Sequence, residues 1–471
     1  MALPEKLRRL LKEARGITDD SKKVEEGFIF FAIKGTRFDG HDFVGEVLSK
    51  DPLAVVVERE VPVKDSRILT VESTREALGE SASLFFGEPS RELKVIGITG
   101  TNGKTSTTYI LEAILTEAGA KTGLLGTINY RIGKEVLGSG RTTPDPITWH
   151  RTLREMRERG AEFVVAEISS HALDQKRVWG TRFDTVAFTN LTQDHLDYHG
   201  SMENYFRAKL RLFTEYAYRT AVVNADDPYG RRILREVDAL TFGRTGRVKI
   251  EDFKTNLDGS EITVSYRGRV FTFKSPLVGE FQAYNLACGI TCAFALGVEP
   301  DVVERALLKV HVPGRFEVIR SGREFVVVVD YAHTPDAMDN VLRTARRLAE
   351  NRVIAVFGAG GDRDRTKRPL MGKVAERWSD LIILTSDNPR SEDPERIIGD
   401  ILQGIEVKKK VLVQPDRRTA IKVALDIAGP GDLVAILGKG HEEYQEIQGV
   451  KYPFSDAGVV KDILSGGGDG L

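Results

Sequence analysis

The chain has 471 residues, too many for one hydrophobic core, so two to four domains are expected. Its 68 Lys and Arg nearly cancel 69 Asp and Glu, which leaves no basic field to make nucleic acid the main partner. Residues 1–20 are charged and lack the apolar core of a signal peptide, and no apolar run approaches the ~20 residues of a membrane span.

Residues 1–91 read as a first small α/β unit: a helical pattern over 3–14, strands at 28–33, 53–57 and 68–71, and a polar loop at 35–41. Ser73-Thr74-Arg75-Glu76 has capping-box spacing ahead of a helix running to about Phe86, and residues 87–90 read as a linker. Residues 92–314 form a second unit. It opens on a β-branched run (Val95, Ile96, Ile98), then glycines at 97, 100 and 103, then an amphipathic helical pattern from Lys104 onward. Strand, glycine loop and helix in that order is a phosphate-binding arrangement, because glycines let backbone N–H groups close around phosphate oxygens. Lys104 can reach a β/γ-phosphate and the Thr105 hydroxyl can ligate Mg²⁺. The match to the bare Walker pattern is displaced, with Ile98 where its first glycine belongs and Gly97 one residue early. Strands at 163–168, 186–188 and 221–223 give the rhythm of a mostly parallel sheet, whereas 248–278 read as antiparallel hairpins turning at Asp258-Gly259 and Arg267-Gly268.

The boundary of a third unit, 315–471, falls at Val312-Pro313-Gly314. Its strands, at 325–329, 353–357, 381–384, 411–413 and 433–437, alternate with helices, and the glycine-rich tail 465–470 is read as disordered. Cys288 and Cys292, four apart in a helical pattern, read as small core residues, in keeping with a reducing cytoplasm.

Several strand ends carry polar clusters. Glu167 closes a strand, where a carboxylate beside a phosphate loop can hold Mg²⁺. His171, His195 and His199 fall near two candidate catalytic strand ends, which places one of them near the metal. Lys209 reads, on its residues alone, as an ordinary helical lysine. In the third unit four polar loops follow four strands: 330–335, 358–365, 387–390 and 438–442. Together they read as a composite pocket whose arginines suit carboxylates.

Gly-Thr-Asn-Gly-Lys-Thr (100–105), Glu-Ile-Ser-Ser-His (167–171), Asn285 within Gly-Glu-Phe-Gln-Ala-Tyr-Asn, and Gly-Arg (314–315) ahead of Asp330 resemble the ATP-dependent Mur ligases of peptidoglycan precursor synthesis, over essentially the whole chain. Asp-Tyr-Ala-His-Thr-Pro (330–335), Gly-Gly-Asp-Arg-Asp (360–364), Asp20-Ser21 and Asp39-Gly40-His41 are similar to the diamino-acid-adding branch of that family. Asp-Asn-Pro-Arg (387–390) resembles the version taking meso-diaminopimelate rather than lysine. Lys22-Lys23 after Ser21 departs from the arginine usual there.

The resemblance implies a three-domain α/β enzyme: a small N-terminal domain for the UDP end, a central P-loop ATPase-like domain with an antiparallel portion, and a C-terminal Rossmann-like domain bringing the amino acid. It implies ATP contact by Gly100, Thr101, Asn102, Gly103, Lys104, Thr105, Ser106, Asn285, Arg315, Asp330 and His333. It implies contact with the UDP-muramoyl dipeptide by Ser21, His41, Thr142, Thr143, Ser169, Gln175 and Arg177. Mg²⁺ would be held by Thr105, Glu167, His195 and a carbamylated Lys209, so that Lys104, Glu167, His195 and Lys209 are the catalytic set. The diamino acid would meet Arg363, Asp387, Asn388, Arg390, Gly438 and Glu442. A cytoplasmic monomer without nucleic-acid partners is expected. The competing readings are the lysine-adding version, a sibling such as folylpolyglutamate synthase, and, from another class, a P-loop nucleotide switch.

Overall fold

A computed structural model describes residues 3–35, 38–138, 140–320, 322–407 and 410–465; the tail 466–470 and residues 36 and 37 of the polar loop lie outside them. The first unit is a four-stranded parallel sheet in chain order, Gly16–Thr18, Phe28–Phe31, Ala54–Val57 and Ile68–Thr70. Burial on both faces explains the unbroken apolar runs of its inner strands. The first helix is shorter than its pattern, Glu5–Leu11. Helix Thr74–Phe85 has half of the expected capping box: Ser73 Oγ accepts from the Glu76 amide, while the Glu76 carboxylate leaves to pair with Lys176 of the second unit at 3.1 Å. The same helix seats Gly79 against Trp179, where a Cβ would lie 2.6 Å from the Trp179 Cβ, so the first unit is docked on the second through a side with no room to spare.

The second unit is one eleven-stranded sheet. Its parallel centre runs Leu240–Gly243, Thr220–Asn224, Thr185–Phe188, Lys94–Thr99, Phe163–Glu167, Thr122–Leu125. The hairpins expected over 248–278 are present as Val248–Asn256, Gly259–Tyr266 and Arg269–Ser275, and they extend one edge of this same sheet. The other edge carries a hairpin the sequence reading did not anticipate, Tyr130–Ile132 and Glu135–Gly138. Strand Lys94–Thr99 lies at the centre with Val95, Ile96 and Ile98 fully buried, each contributing about 1.5–3 kcal/mol of apolar burial. Helix Lys104–Glu117 packs against Gln282–Ala295, and Cys288 and Cys292 are free and buried in that contact, as expected of small core residues.

The third unit is a six-stranded sheet in the order Glu317–Arg320, Val326–Asp330, Leu433–Leu437, Val353–Phe357, Leu381–Leu384, Val411–Val413. It is parallel except for its first strand. That antiparallel edge strand and the hairpin Tyr444–Ile447 and Val450–Pro453 were not foreseen. Among the described residues no helix is long and apolar enough to cross a membrane.

Candidate active site

The carboxyl ends of the central strands open into a cavity of about 700 Å³ between the second and third units. Its floor is the glycine loop. Gly103 stands at φ +85°, and a side chain there would collide with Asn285 Oδ1, so the loop and the start of helix Lys104–Glu117 are pinned by the absence of a Cβ. Lys104 Nζ donates to the carbonyls of Gly100 and Thr101 at 2.9 and 2.8 Å. Thr105 Oγ1 donates to both Glu167 oxygens at 3.0 and 3.1 Å and accepts from Arg315 Nη2 of the third unit at 3.1 Å. Glu167 is further held by the Thr127 amide and hydroxyl at 2.8 and 3.0 Å, a supporting role for Thr127 that no sequence motif signalled.

Asn285, Arg315, Asp330 and His333 line this cavity along with residues 101–106, so the residues expected around a nucleotide do converge. Arg315 stacks on the Tyr331 ring at 4.4 Å. Burial raises Asp330 to about 6 although Arg315 and the amides of Phe316 and Ala332 favour its charged form. Burial lowers His333 to about 4, with Lys367 pushing the same way, so its imidazole is neutral near pH 7.

Lys209 corrects the reading made from residues alone. It is not a solvated helical lysine: it is 1% exposed, on the inner face of helix Met202–Thr214, and its Nζ donates to the Gly100 carbonyl at 2.7 Å. Burial drives its pKa well below the usual lysine value, and Lys104 pushes the same way against the pull of Asp194. The apolar stripe Tyr205, Phe206, Leu212, Phe213 contains position 209 at helical spacing, a signal that could have found it.

The three histidines do assemble. His171 lies 4.8 Å from His195 and 5.4 Å from His199, ring centre to ring centre, and His195 takes a left-handed φ of +53° to reach the cluster. Burial lowers His195 to about 3 in spite of Asp194 beside it. Of these three only His195 borders the cavity; His199 is committed to Ser170 Oγ at 2.9 Å.

Beside Glu167 a second set is knit together. Thr142 faces Thr127 at 3.0 Å, and Thr143 Oγ1 donates to the Glu167 carbonyl and accepts the Ser169 amide. Gln175 accepts from Arg177, whose Nη1 reaches the Thr143 carbonyl at 3.0 Å. Ser21 and His41 lie apart from this set, in the first unit. Ser21 opens a short 3-10 turn, and its carbonyl takes Lys50 Nζ at 2.7 Å. His41 has both ring nitrogens occupied, by Asp39 at 2.6 Å and the Glu58 amide at 3.1 Å, so its imidazole is spent on the fold of its own loop.

In the third unit Asp387, Asn388, Arg390, Gly438 and Glu442 are brought together. Asn388 Nδ2 donates to Glu442 at 2.8 Å, and a Cβ on Gly438 would strike Asp387. Arg390, at φ +52°, donates to the Gly361 carbonyl at 2.7 Å and so ties this loop to the 360–365 loop that carries the exposed Arg363. Arg368, 1% exposed, locks the same two loops by bonding Glu392 and the Gly360 carbonyl, and was not foreseen.

Models of the Mur ligase family match three stretches: the catalytic domain over residues 13–86, the middle domain over 98–293 and the glutamate ligase domain over 314–440. The chain is 61% identical over 463 residues to the UDP-N-acetylmuramoyl-L-alanyl-D-glutamate–2,6-diaminopimelate ligase of Aquifex aeolicus (strain VF5), covering 98% of this chain and 95% of that one. The chain belongs to the Mur ligase family. It is 43% identical to the ligase of the same name from Geobacter metallireducens, over 97% and 96% of the two chains. A solved structure of a 2,6-diaminopimelate ligase with that substrate name superposes with a TM-score of 0.71 at 35% identity, covering 97% of this chain and 96% of the other. A MurF ligase from Thermotoga maritima in complex with ADP, 24% identical over 91% and 94%, shares the fold at a TM-score of 0.61. This Mur ligase is thus an ATP-dependent ligase with the family's three-domain α/β fold.

Proposed function

We propose that this ligase joins 2,6-diaminopimelate to the D-glutamate side-chain carboxylate of UDP-N-acetylmuramoyl-L-alanyl-D-glutamate, with ATP cleaved to ADP and phosphate, as a cytoplasmic step of peptidoglycan precursor synthesis. The observation that carries the reading is the Thr105–Glu167 pair at the foot of the glycine loop, met across the cleft by Arg315. The relatives' printed names supply the substrates. The three units are assigned as 1–91 for the UDP end, 92–314 for ATP and 315–471 for the amino acid.

A carboxylate is a poor acyl donor because its leaving group would be oxide. Its oxygen attacks the γ-phosphorus of ATP, ADP leaves, and the resulting acyl phosphate has phosphate as a competent leaving group. The free amine of the diamino acid then attacks the carbonyl carbon, loses its proton, and expels phosphate to leave an amide. Both partners in the first step are anionic. Lys104, the loop amides and Arg315 offset that repulsion, and in a cleft shielded from bulk water they do so at low dielectric. Thr142, Thr143, Ser169, Gln175 and Arg177 would orient the muramoyl peptide beside them. The hydroxyl of Thr105 and the carboxylate of Glu167 fit Mg²⁺, which takes one or two protein oxygens plus phosphate oxygens, with His195 at the cavity wall; when bound it would screen the phosphate charge. A Lys209 amine in its neutral form can add carbon dioxide, forming the N–C bond and giving up one proton to water, to leave a carbamate, and burial, by driving the lysine pKa well down, favours that neutral form. The carbamate would place anionic oxygen donors at the loop.

Arg363 and Arg390 would hold the distal carboxylate of diaminopimelate. Lysine lacks that group and would leave Arg390 with only its Glu446 and Gly361 contacts and Arg363 facing water, a loss of about 1–3 kcal/mol of charge-assisted hydrogen bonding. The test is phosphate release from ATP by the purified chain, with meso-diaminopimelate competing against L- and D-lysine. Release that needs both the UDP-muramoyl dipeptide and diaminopimelate is expected. Turnover without either substrate, or indifference between diaminopimelate and lysine, overturns the reading.

A further inference from the structure

Lys439 takes no part in the chemistry described above, yet it is fully buried among the acceptor loops, with no exposed surface. Its Nζ donates to Asn388 Oδ1 at 3.0 Å and to Glu442 Oε2 at 2.9 Å, and it stands 5.5 Å above the centre of the Tyr444 ring. Asn388 Oδ1 also accepts the Glu446 amide at 2.9 Å, and its Nδ2 donates to the same Glu442 oxygen that Lys439 holds. Lys439 and the Glu446 amide together dictate which way the Asn388 amide faces, because a donor cannot occupy the position that both of them address. The Asn388 amide and Lys439 in turn fix Glu442.

The charge count points the same way. Asp387 and Glu442 are two carboxylates in one enclosed cluster; the buried Arg417 also faces both but is matched by Asp456 at 2.8 Å, so Lys439 brings the remaining sum to a single negative charge. Glu446 is matched separately by Arg390 at 3.3 Å. One net negative charge in a desolvated pocket is the complement of one ammonium; two would favour protonating a carboxylate instead. The glycines on either side allow this placement, since a Cβ on Gly438 would strike Asp387 and one on Gly440 would lie 2.7 Å from the Tyr331 Cβ.

We infer that Lys439 is a positioning residue that sets the acceptor pocket to read the distal ammonium of the diamino acid, by holding Asn388 and Glu442 in one arrangement with one net negative charge. The inference rests on the ligase reading above, and it adds that the amine end and the carboxylate end of the acceptor are read by separable groups.

The experiment compares diaminopimelate with 2-aminopimelate, the same dicarboxylate without the distal amine, in wild type and Lys439→Met. The variant is expected to raise KM for diaminopimelate tenfold or more while KM for 2-aminopimelate and for ATP stay within about threefold, so that preference for the distal amine collapses. Equal loss on both acceptors, or no loss on either, overturns the inference. Should Lys439→Met not fold, Glu442→Gln is compared with Lys439→Met/Glu442→Gln, which keeps the cluster at the single negative charge of wild type, now on Asp387. A Lys439 that acts through Glu442 adds less than twofold to the KM of Glu442→Gln, and a further tenfold rise overturns the idea. A wild type that ligates no diamino acid at all sinks the underlying reading first, and is told apart by failing before any variant is compared.

Discussion

A lysine amine that must stay charged belongs in water, and Lys209 is not there. Among the described residues its Nζ makes one hydrogen bond, to the Gly100 carbonyl in the loop that also binds Lys104, and lies 4.6 Å from the centre of the Tyr205 ring. Burial first, and then the repulsion between two ammonium groups sharing one loop carbonyl, drive the Lys209 pKa well below the usual lysine value. Lys209→Met keeps the volume and removes the nitrogen. Ligation should fall at least 100-fold in a phosphate-release assay while the ATP Kd, measured by calorimetry, moves less than threefold; near-normal turnover would remove Lys209 from the catalytic set. At this scale the sequence is legible only where residue type and spacing carry the chemistry. Glycines before Lys104 and Thr105 announce a phosphate loop, and Glu167 announces itself by closing an apolar strand. Thr127 and Lys439 do not, because their roles come from what lies across from them after folding, and a threonine or lysine in a loop has the same spelling whether it is buried or wet.

Elements built on one backbone exception are the most exposed to substitution. Helix Lys104–Glu117 begins at Gly103 in the left-handed region, against Asn285 of the neighbouring helix. Gly103→Ala carries a backbone cost of about 1 kcal/mol or more and displaces Asn285, so ATP affinity should fall tenfold or more by titration calorimetry. An unchanged Kd would mean that the loop tolerates a Cβ. Helix Pro146–Glu158 depends instead on a neutral histidine. His150 is fully buried, with Nε2 at 2.8 Å from the Trp179 carbonyl, and burial lowers its pKa to about 4. The unfolded chain takes up that proton near 6.5, so the contribution is intact above pH 6.5 and is lost as pH falls toward 4, reaching about 2 kcal/mol at pH 5. His150→Gln should therefore show a smaller drop in Tm between pH 7 and pH 5 than wild type; an equal drop would show that His150 does not carry it. Four of the central parallel strands, Lys94–Thr99, Phe163–Glu167, Thr185–Phe188 and Thr220–Asn224, were legible because burial on both faces leaves apolar runs that read the same from either side, whereas Thr122–Leu125 and Leu240–Gly243, short and broken by Thr and Gly, were not. The hairpin Tyr130–Gly138 and the edge strand Glu317–Arg320 were not, since short edge strands with one wet face mix polar and apolar residues much as loops do.

Across the whole molecule, the alternation of strands and helices forecasts three sheets but is silent on how they meet, because an interface has no period. The meeting is specific here. Asp336, in the first turn of helix Pro335–Leu348 of the third unit, accepts from Asn102 Nδ2 at 2.7 Å and from Thr192 Oγ1 at 3.2 Å, both in the second unit. Arg315 reaches Thr105 over the same gap. Under the proposed reading a nucleotide in the cavity between them would have its phosphates on one unit and the acceptor loops on the other, so the amine could reach the acyl phosphate only while these units stay together. Asp336→Ala deletes two hydrogen bonds to a carboxylate, each about 1.5–3 kcal/mol when well shielded and less where water competes. A net loss of about 1.5 kcal/mol shifts the balance between joined and parted units by about tenfold. Ligation should slow by about that factor, with ATP Kd changed less than threefold because the loop contacts remain. Small-angle scattering of the ATP-bound chain should show a larger radius of gyration than wild type, and Asp336→Asn, which keeps an acceptor oxygen for Asn102, should recover part of both. A slower Asp336→Ala enzyme with an unchanged radius would mean that these bonds shape the glycine loop alone and do not hold the two units together.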